Sequence, residues 1–591
     1  MGDAEIDRRT WAAIPLPRRE STGRWLRESP SAVVPLAIAV GVVTGFGAVG
    51  FRYLITGFTW MVTGRADYAG LGRVASLHLP WLGVWFLLFA PVLAGAIYGP
   101  IVYRFAPEAR GHGVPEVMYA VAEHGGRIAP RVTLVKAFAS ALCIGGGGSV
   151  GREGPIVQIG SAAGSTLAQL LRFDAPRMRL LVACGAAGGI AATFNAPLAG
   201  PFFAMELILR NFAAESFGAV VLSSVTASVI GRALLGDEPF LALPQFGVRS
   251  PVEYLLYLVL GIVAGVVGVC FSKVLYLVHD LCDRVWRGPE WARPAVGGLA
   301  LGALLLALPQ MYGVGYPVLE NAVEGRYLVG MVLLLLVAKM LATSLTIGIG
   351  GSGGVFAPTL FIGAMTGVAF GDLAHLLLPG LTESAGAYGL IGMGAALGGA
   401  TRAPITAVII LFELTGEYTI ILPLMAAVAM ADLSSRLLSK DTIYTRKLLR
   451  RGVDIDRHQP ARPALLARDV AREVPIPLDE HTDIRAAADA LARSTATMLP
   501  VVGADGYYHG CVTARDIAEA LEDPGSADTV RALLTLPPTL AVDATLPDML
   551  TALIGHDGTG LPVVDRTRGE LTGWIDYDDV LLALRATDRS H

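Results

Sequence analysis

The sequence predicts a multi-spanning α-helical membrane domain, built of two repeats with broken and re-entrant helices, followed by a soluble α/β domain pair. Three observations carry this. Hydrophobic residues are 53% of the 591 and charged residues only 16%, against about a quarter in soluble domains. Apolar segments interrupted by Gly and Pro recur at a nearly constant offset in two parts of the chain. Past about residue 455 the composition turns soluble, and a short pattern there occurs twice.

In chain order, residues 1–30 form a basic segment with Arg8, Arg9, Arg18, Arg19, Arg24 and Arg27, without the apolar core of a signal peptide. Val33–Trp60, Trp81–Val102, Tyr254–Val278 and Leu328–Leu345 are long enough to span a bilayer, which takes about 20 residues. Gly113–Val121, Pro155–Leu171, Pro197–Leu209 and Pro404–Leu414 are short or broken and read as half-spans. Arg446, Lys447, Arg450 and Arg451 follow the last span. Positive flanks at both ends place both termini in the cytoplasm of a plasma-membrane protein. The expected division is a membrane domain over 31–450 with repeats at about 31–235 and 250–450, a linker at 451–466, and soluble domains at 467–523 and 529–588.

The stretch Gly145–Gly160 puts Arg152 and Glu153 inside an apolar, glycine-rich segment. A charge at mid-bilayer costs about 2.5–3.5 kcal/mol on insertion scales, so these residues are expected to line an enclosed, wettable path. The glycines and Pro155 break the segment and restart it as a helix, whose first N–H groups have no intrahelical partner. Such a positive helix end in a membrane cavity suits an anion.

The same arrangement returns later. Gly151–Gly160 aligns without gaps on Gly354–Gly363, an offset of 203 (358 − 155 for the prolines). Asn195–Leu207 aligns on Arg402–Leu414, an offset of 207 (404 − 197) and pairs Glu206 with Glu413. An internal duplication of about 200 residues follows, with a permeation site expected between the broken helices.

In the soluble region, helix Ala486–Ala492, strand Leu499–Val502, turn Gly503–Gly506 and strand-into-helix Gly510–Asp516 are matched by Leu546–Ile554, Leu561–Val564, Asp565–Glu570 and Gly573–Asp578. This resembles a tandem pair of CBS (cystathionine-β-synthase-type) domains. The resemblance implies an adenine-nucleotide site at Thr513, Asp516, Asp576 and Asp578. Asp576 stands where Ser or Thr is usual, and its carboxylate would repel phosphate, which puts the nucleotide in doubt. No other cofactor is called for.

Gly111-His-Gly-Val-Pro115, Gly151-Arg-Glu-Gly-Pro155, Gly351-Ser-Gly-Gly-Val-Phe-Ala-Pro358 and Thr442-Ile-Tyr444, in this order within a duplicated domain, resemble the CLC family of chloride channels and chloride/proton exchangers. The resemblance implies a homodimer in a lipid bilayer, with one pathway per subunit. It implies an anion held by His112, Gly113, Arg152, Glu153, Gly154, Val355, Phe356 and Tyr444, with Glu153 as gate. The chemistry agrees: backbone amides at Val355 and Phe356 and the Tyr444 hydroxyl offer partial charges that hold a dehydrated chloride without trapping it. His112 replaces the usual Ser, leaving the preferred anion open; its imidazole also donates a hydrogen bond and, if protonated, would strengthen anion binding and add pH sensitivity. Proton-coupled members usually carry a second glutamate just after the position of Glu206; here it is Leu207, which carries no proton. The sequence therefore predicts a passive, glutamate-gated chloride channel modulated by its CBS pair. The alternative is a chloride/proton antiporter with a non-standard inner proton acceptor.

Other classes fit poorly. A net charge of −4 does not imply a nucleic-acid partner. The five scattered cysteines suggest neither a disulfide framework nor a metal site. A cation transporter would need several carboxylates facing one cavity, yet Phe356 stands at the second-half equivalent of Glu153. The glycine run lacks the Lys-Ser/Thr of a phosphate loop, and no nucleophile–base arrangement marks an enzyme.

Overall fold

The computed structural model describes residues 32–236, 247, 249–455, 466–494, 496–504, 506–522, 527–556, 560–565 and 569–589. The arginine-rich residues 1–30 and residues 456–465 of the expected linker lie outside the described residues. The chain divides into two compact units, 1–455 and 456–591.

The first unit is helical. Its first half runs α1 (Val33–Thr63), α2 (Phe86–Phe105), α3 (Val114–Glu123), α4 (Arg131–Gly145), α5 (Glu153–Leu170), α6 (Ala175–Phe194), α7 (Ala199–Phe203) and α8 (Ala214–Leu235). The second runs α9 (Val252–Val285), α10 (Arg293–Ala307), α11 (Tyr316–Val323), α12 (Val329–Gly348), α13 (Phe356–Leu377), α14 (Ala385–Thr401), α15 (Pro404–Thr415) and α16 (Ile421–Leu438), with a short α17 (Thr445–Leu449) after it. Helices α1–α8 correspond to α9–α16 in order. Eight helices among the described residues are long and apolar enough to cross a membrane. Five helices begin where the sequence breaks: Pro115, Pro155, Pro317, Pro358 and Pro404 all lie in first turns, where a missing N–H costs nothing. A π-helical turn, Ala204–Leu209, continues α7.

Small residues let the helices approach closely. Gly160 of α5 meets the backbone of Gly185 on α6, and Gly363 of α13 meets that of Gly392 on α14, at the duplication offsets (363 − 160 = 203; 392 − 185 = 207). A Cβ at any of these would collide with the opposing carbonyl, so van der Waals contact replaces the hydrophobic drive that lipid does not supply.

Equivalent residues also exchange equivalent bonds. Gly151 N–H donates to Gly354 O at 2.7 Å, and Gly354 N–H donates to Gly151 O at 2.6 Å. The Glu206 carboxylate accepts from the amides of Ile405 (3.2 Å) and Thr406 (2.8 Å). Glu413 accepts from those of Leu198 (2.8 Å) and Ala199 (2.6 Å), the same positions 207 residues earlier (405 − 198; 406 − 199). Reciprocal bonding of this kind relates the halves by a local two-fold axis, the arrangement expected of inverted repeats.

The second unit holds two three-stranded sheets. In the first, β1 (Leu478–Asp479) pairs parallel with β2 (Met498–Val502), which pairs antiparallel with β3 (Tyr508–Thr513). In the second, β4 (Leu540–Ala541), β5 (Gly560–Asp565) and β6 (Glu570–Asp576) repeat that order and those directions.

Candidate functional site

Three helix starts converge in the membrane unit. The loop before α3 is tied to the loop before α13 by Gly111 N–H to Gly351 O (3.1 Å) and Gly353 N–H to Gly111 O (3.3 Å). The Gly151–Gly354 pair ties the loop before α5 to the same place. Gly154 admits no side chain, since a Cβ there would collide with the carbonyl oxygen of His112.

Two buried lysines brace these loops from behind. Lys136 donates to Ala109 O (2.9 Å) and Gly111 O (2.8 Å). Lys339, its equivalent at 339 − 136 = 203, donates to Ser149 Oγ (2.9 Å), Gly313 O (3.2 Å) and Val314 O (2.8 Å). A buried ammonium is tolerated only when its protons are satisfied, so each lysine fixes the course of the loop it touches. Sequence reasoning missed both lysines, although the duplication offset pairs them.

Glu153 is the first residue of α5 and is 1% exposed. Its carboxylate folds back over Gly151 toward the start of α13, where Oε2 accepts from Ala357 N–H at 3.4 Å. Oε1 accepts from the Tyr316 hydroxyl at 2.7 Å. The first intrahelical bond of α13 is Thr359 N–H to Val355 O. The amides of Val355, Phe356 and Ala357 therefore have no carbonyl ahead of them in the helix, and the glutamate carries the negative charge this end attracts. Phe356 itself is packed against Phe194 and Phe203, with ring centroids 5.7 and 6.4 Å away.

His112 and Tyr444 lie on the other side. Both are buried, and neither the His112 Nδ1 nor the Tyr444 hydroxyl has a hydrogen-bond partner among the described residues. Tyr276 links them: its ring is 6.1 Å from that of His112, and its hydroxyl donates to Ile443 O at 2.8 Å. His112, Tyr276, His279, Arg293, Lys447 and Arg450 line a cavity of about 390 Å³. A second cavity, of about 360 Å³, is lined by Arg52, Asp67, Arg152, Tyr316 and Glu320. Glu153 lies between the two, bonded to Tyr316 of one and adjacent through Gly154 to His112 of the other. Arg152 thus belongs to the Tyr316 side, where its guanidinium lies 5.6 Å over the Tyr316 ring. Gly113 has φ 88°, which turns the chain into α3.

Leu207 is buried in the apolar core, and its neighbour Glu206 is occupied as the cap of α15, where it also accepts from Thr406 Oγ1 at 2.7 Å. In the soluble unit, Thr513 Oγ1 donates to Asp516 at 2.6 Å. The counterpart of that pair three residues apart is Asp576 with Asp579, which exchange backbone–carboxylate bonds at 2.9 and 3.1 Å. The equivalent of Asp516 is therefore Asp579, not Asp578, which is exposed one residue too early on the helix. Arg472 pairs with both Asp576 and Asp579. Among the described residues no group of three His, Cys, Asp or Glu is placed to hold a metal ion.

Comparison with known proteins agrees with this architecture. Residues 94–436 match the family model described as voltage gated chloride channel, and residues 467–523 and 530–586 match that of the CBS domain. A relative from Ralstonia nicotianae, named as a ClcB-like chloride channel protein, is 36% identical over 433 residues, covering 72% of this chain and 99% of its own. The H(+)/Cl(-) exchange transporter ClcA of Vibrio parahaemolyticus is 34% identical over 437 residues, covering 71% and 90%. Among solved structures, a slow cyanobacterial Cl−/H+ antiporter superposes with a TM-score of 0.62 at 26% identity, over 71% of this chain and 97% of that one. With converging helix starts, a duplicated membrane unit and a CBS pair, the chain belongs to the voltage-gated chloride channel, or CLC, family.

Proposed function

We propose that this protein is a plasma-membrane chloride/proton exchanger in which Glu153 and the transported anion take turns at the start of α13. The carrying observation is the Glu153 carboxylate lying against the amide of Ala357, a negative group where a helix end attracts anions. Protonation removes that charge and frees the place for chloride, so one site handles both ions in alternation. The His112 Nδ1 and Tyr444 hydroxyl support an anion position further along. Buried polar atoms without partners cost about 1–3 kcal/mol each, and a dehydrated chloride accepting from both would remove that cost.

Relatives named as exchange transporters, and a structural neighbour named as an antiporter, favour exchange over the passive channel read from Leu207. Leu207 remains the observation on the passive side. On the exchanger reading, protons reach Glu153 from the His112 cavity through water, for which about 390 Å³ is ample. That cavity carries Lys447, Arg450 and Arg451, which the positive-inside rule assigns to the cytoplasm together with the CBS pair. We read the protein as a homodimer with one pathway per subunit, and the CBS pair as a modulating module in which Asp576 disfavours adenine nucleotides.

The test is purified full-length protein in liposomes under a chloride gradient. Exchange drives protons uphill, and Glu153→Gln abolishes that movement. Chloride flux that moves no protons would establish passive conduction instead.

A further inference from the structure

Tyr316 is where the two halves of the membrane unit stop being equivalent. Gly313-Val-Gly-Tyr-Pro317 repeats Gly111-His-Gly-Val-Pro115 at an offset of 202 (313 − 111), so Tyr316 corresponds to Val114. The backbones agree, with φ 93° at Gly315 and 88° at Gly113. Glu153 corresponds to Phe356 (356 − 153 = 203). Of the two positions related by the duplication, each shared between the halves, one thus has the apolar residues Val114 and Phe356, while the other has the Tyr316 hydroxyl bonded to the Glu153 carboxylate at 2.7 Å.

We propose that the Tyr316 hydroxyl is the latch and proton relay of Glu153 on the side of the 360 Å³ cavity. This rests on the reading of Glu153 as the carboxylate that alternates with the anion. As latch, the hydroxyl donates to Oε1 and holds the ionised carboxylate against α13. As relay, Tyr316 Oη takes a proton from a hydronium ion in the cavity while its own proton passes to Glu153 Oε1. Two O–H bonds break, in the hydronium and in the tyrosine, and two form, in the tyrosine and in the glutamate; the hydronium leaves as water, the tyrosine ends neutral as it began, and the carboxylate becomes a carboxylic acid. Tyr316 is built for this place: it lines the cavity, and α11 starts directly after the loop that Lys339 holds through Gly313 O and Val314 O. The charged groups around it are Arg152 over its ring, Arg52 on α1, Asp67 after α1, Glu320 on α11 itself, and Lys339 on α12. Asp67 and Glu320 give the cavity carboxylates able to collect protons from bulk water.

The experiment uses full-length protein in liposomes, with Tyr316→Phe, Glu153→Gln and the double variant. Proton-to-chloride ratio and the pH profile of chloride flux are read with pH varied on the Tyr316 side. Tyr316→Phe keeps the ring, and is expected to retain chloride flux while the ratio falls at least about tenfold, below the roughly 10²–10⁴-fold that a positioned proton donor contributes because water in the cavity supplies part of the transfer. The midpoint of acid activation moves up by about one pH unit, as one hydrogen bond to the charged form is lost. In the Glu153→Gln background, where no protons move, Tyr316→Phe leaves chloride flux and its pH profile unchanged. An unchanged ratio and midpoint in Tyr316→Phe overturns the proposal, as does a change of chloride flux or of its pH profile on adding Tyr316→Phe to Glu153→Gln, which marks a merely structural role. A parent protein that moves no protons overturns the relay. Glu153→Gln that keeps the parent's proton movement and pH profile sinks the reading of Glu153 itself, whatever Tyr316 does.

Discussion

Replacing Glu206 separates two roles that the sequence alone leaves tangled. Glu206 is the ionisable residue beside Leu207, the position where an inner proton station is usual, and was the natural substitute for one. In the structure its carboxylate is fully engaged at the start of α15, accepting from Ile405 N–H, Thr406 N–H and Thr406 Oγ1 at 3.2, 2.8 and 2.7 Å. Truncating a side-chain cap costs about 0.5–2 kcal/mol, and a carboxylate at a helix start adds about 0.3–1 kcal/mol from the dipole. Glu206→Ala should therefore cost about 1–3 kcal/mol. Glu206→Gln keeps one acceptor oxygen but loses the charge, for about 1 kcal/mol. At about 2 °C per kcal/mol for a large domain, thermal unfolding in detergent should fall by about 2–6 °C for the alanine variant and about 2 °C for the glutamine variant. Glu413→Ala, which uncaps Leu198 and Ala199 by the same geometry, should match Glu206→Ala. Proton uptake per chloride in liposomes should be the same for Glu206→Gln and the parent. A glutamine variant with parental thermal stability and no proton uptake would refute the reasoning and make Glu206 the inner proton station.

Three further changes test other parts of the site. His112→Ser should change the order of anion preference, because a hydroxyl takes the place of the unpartnered imidazole nitrogen beside the anion path; ion-replacement flux assays read it. Gly154→Ala should leave little folded protein on size-exclusion chromatography, because the added Cβ runs into the His112 carbonyl oxygen and both sides of that contact are backbone. Asp576→Ser should tighten adenine-nucleotide binding by at least about tenfold in calorimetry, since it removes a charge that would face phosphate, while chloride flux stays at the parental rate.

What the sequence made legible was local. A proline after a glycine run inside an apolar segment marks a helix start whatever lies around it, so α3, α5, α13 and α15 were readable at their own positions. Glu153 was readable because a carboxylate in such a segment needs a special reason. The residues that were not readable act at a distance. Lys136 and Lys339 each put an ammonium inside an apolar helix, a signal of the same kind as Glu153, but it does not say what they hold. Their importance lies in carbonyls 25 to 27 residues away, at Ala109 and Gly111 for one, and at Gly313 and Val314 for the other. Asp579 was legible as well: Gly510–Asp516 aligns without gaps on Gly573–Asp579, an offset of 63 (579 − 516), and matching it to Gly573–Asp578 stops one residue short.

The duplication would have supplied more than the two aligned blocks. Carried from α3 to α5 at an offset of 202 to 203, it pairs Gly111–Pro115 with Gly313–Pro317, Lys136 with Lys339, and Ser149 with Ser352. The backbone-bracing members of these pairs are the same residue type in both halves, because a two-fold scaffold needs the same brace twice. Members that differ, Glu153 against Phe356 and Tyr316 against Val114, are those around the carboxylate. A transport path has two distinct ends, and a symmetric scaffold can supply them only by breaking its symmetry at the side chains that meet the ions. Divergence between the copies is therefore the stronger guide to function here, whereas the single substitution at Leu207 says only which residue does not carry the proton. The place to look for further functional groups is wherever one repeat is polar and its partner, some 203 residues away, is not.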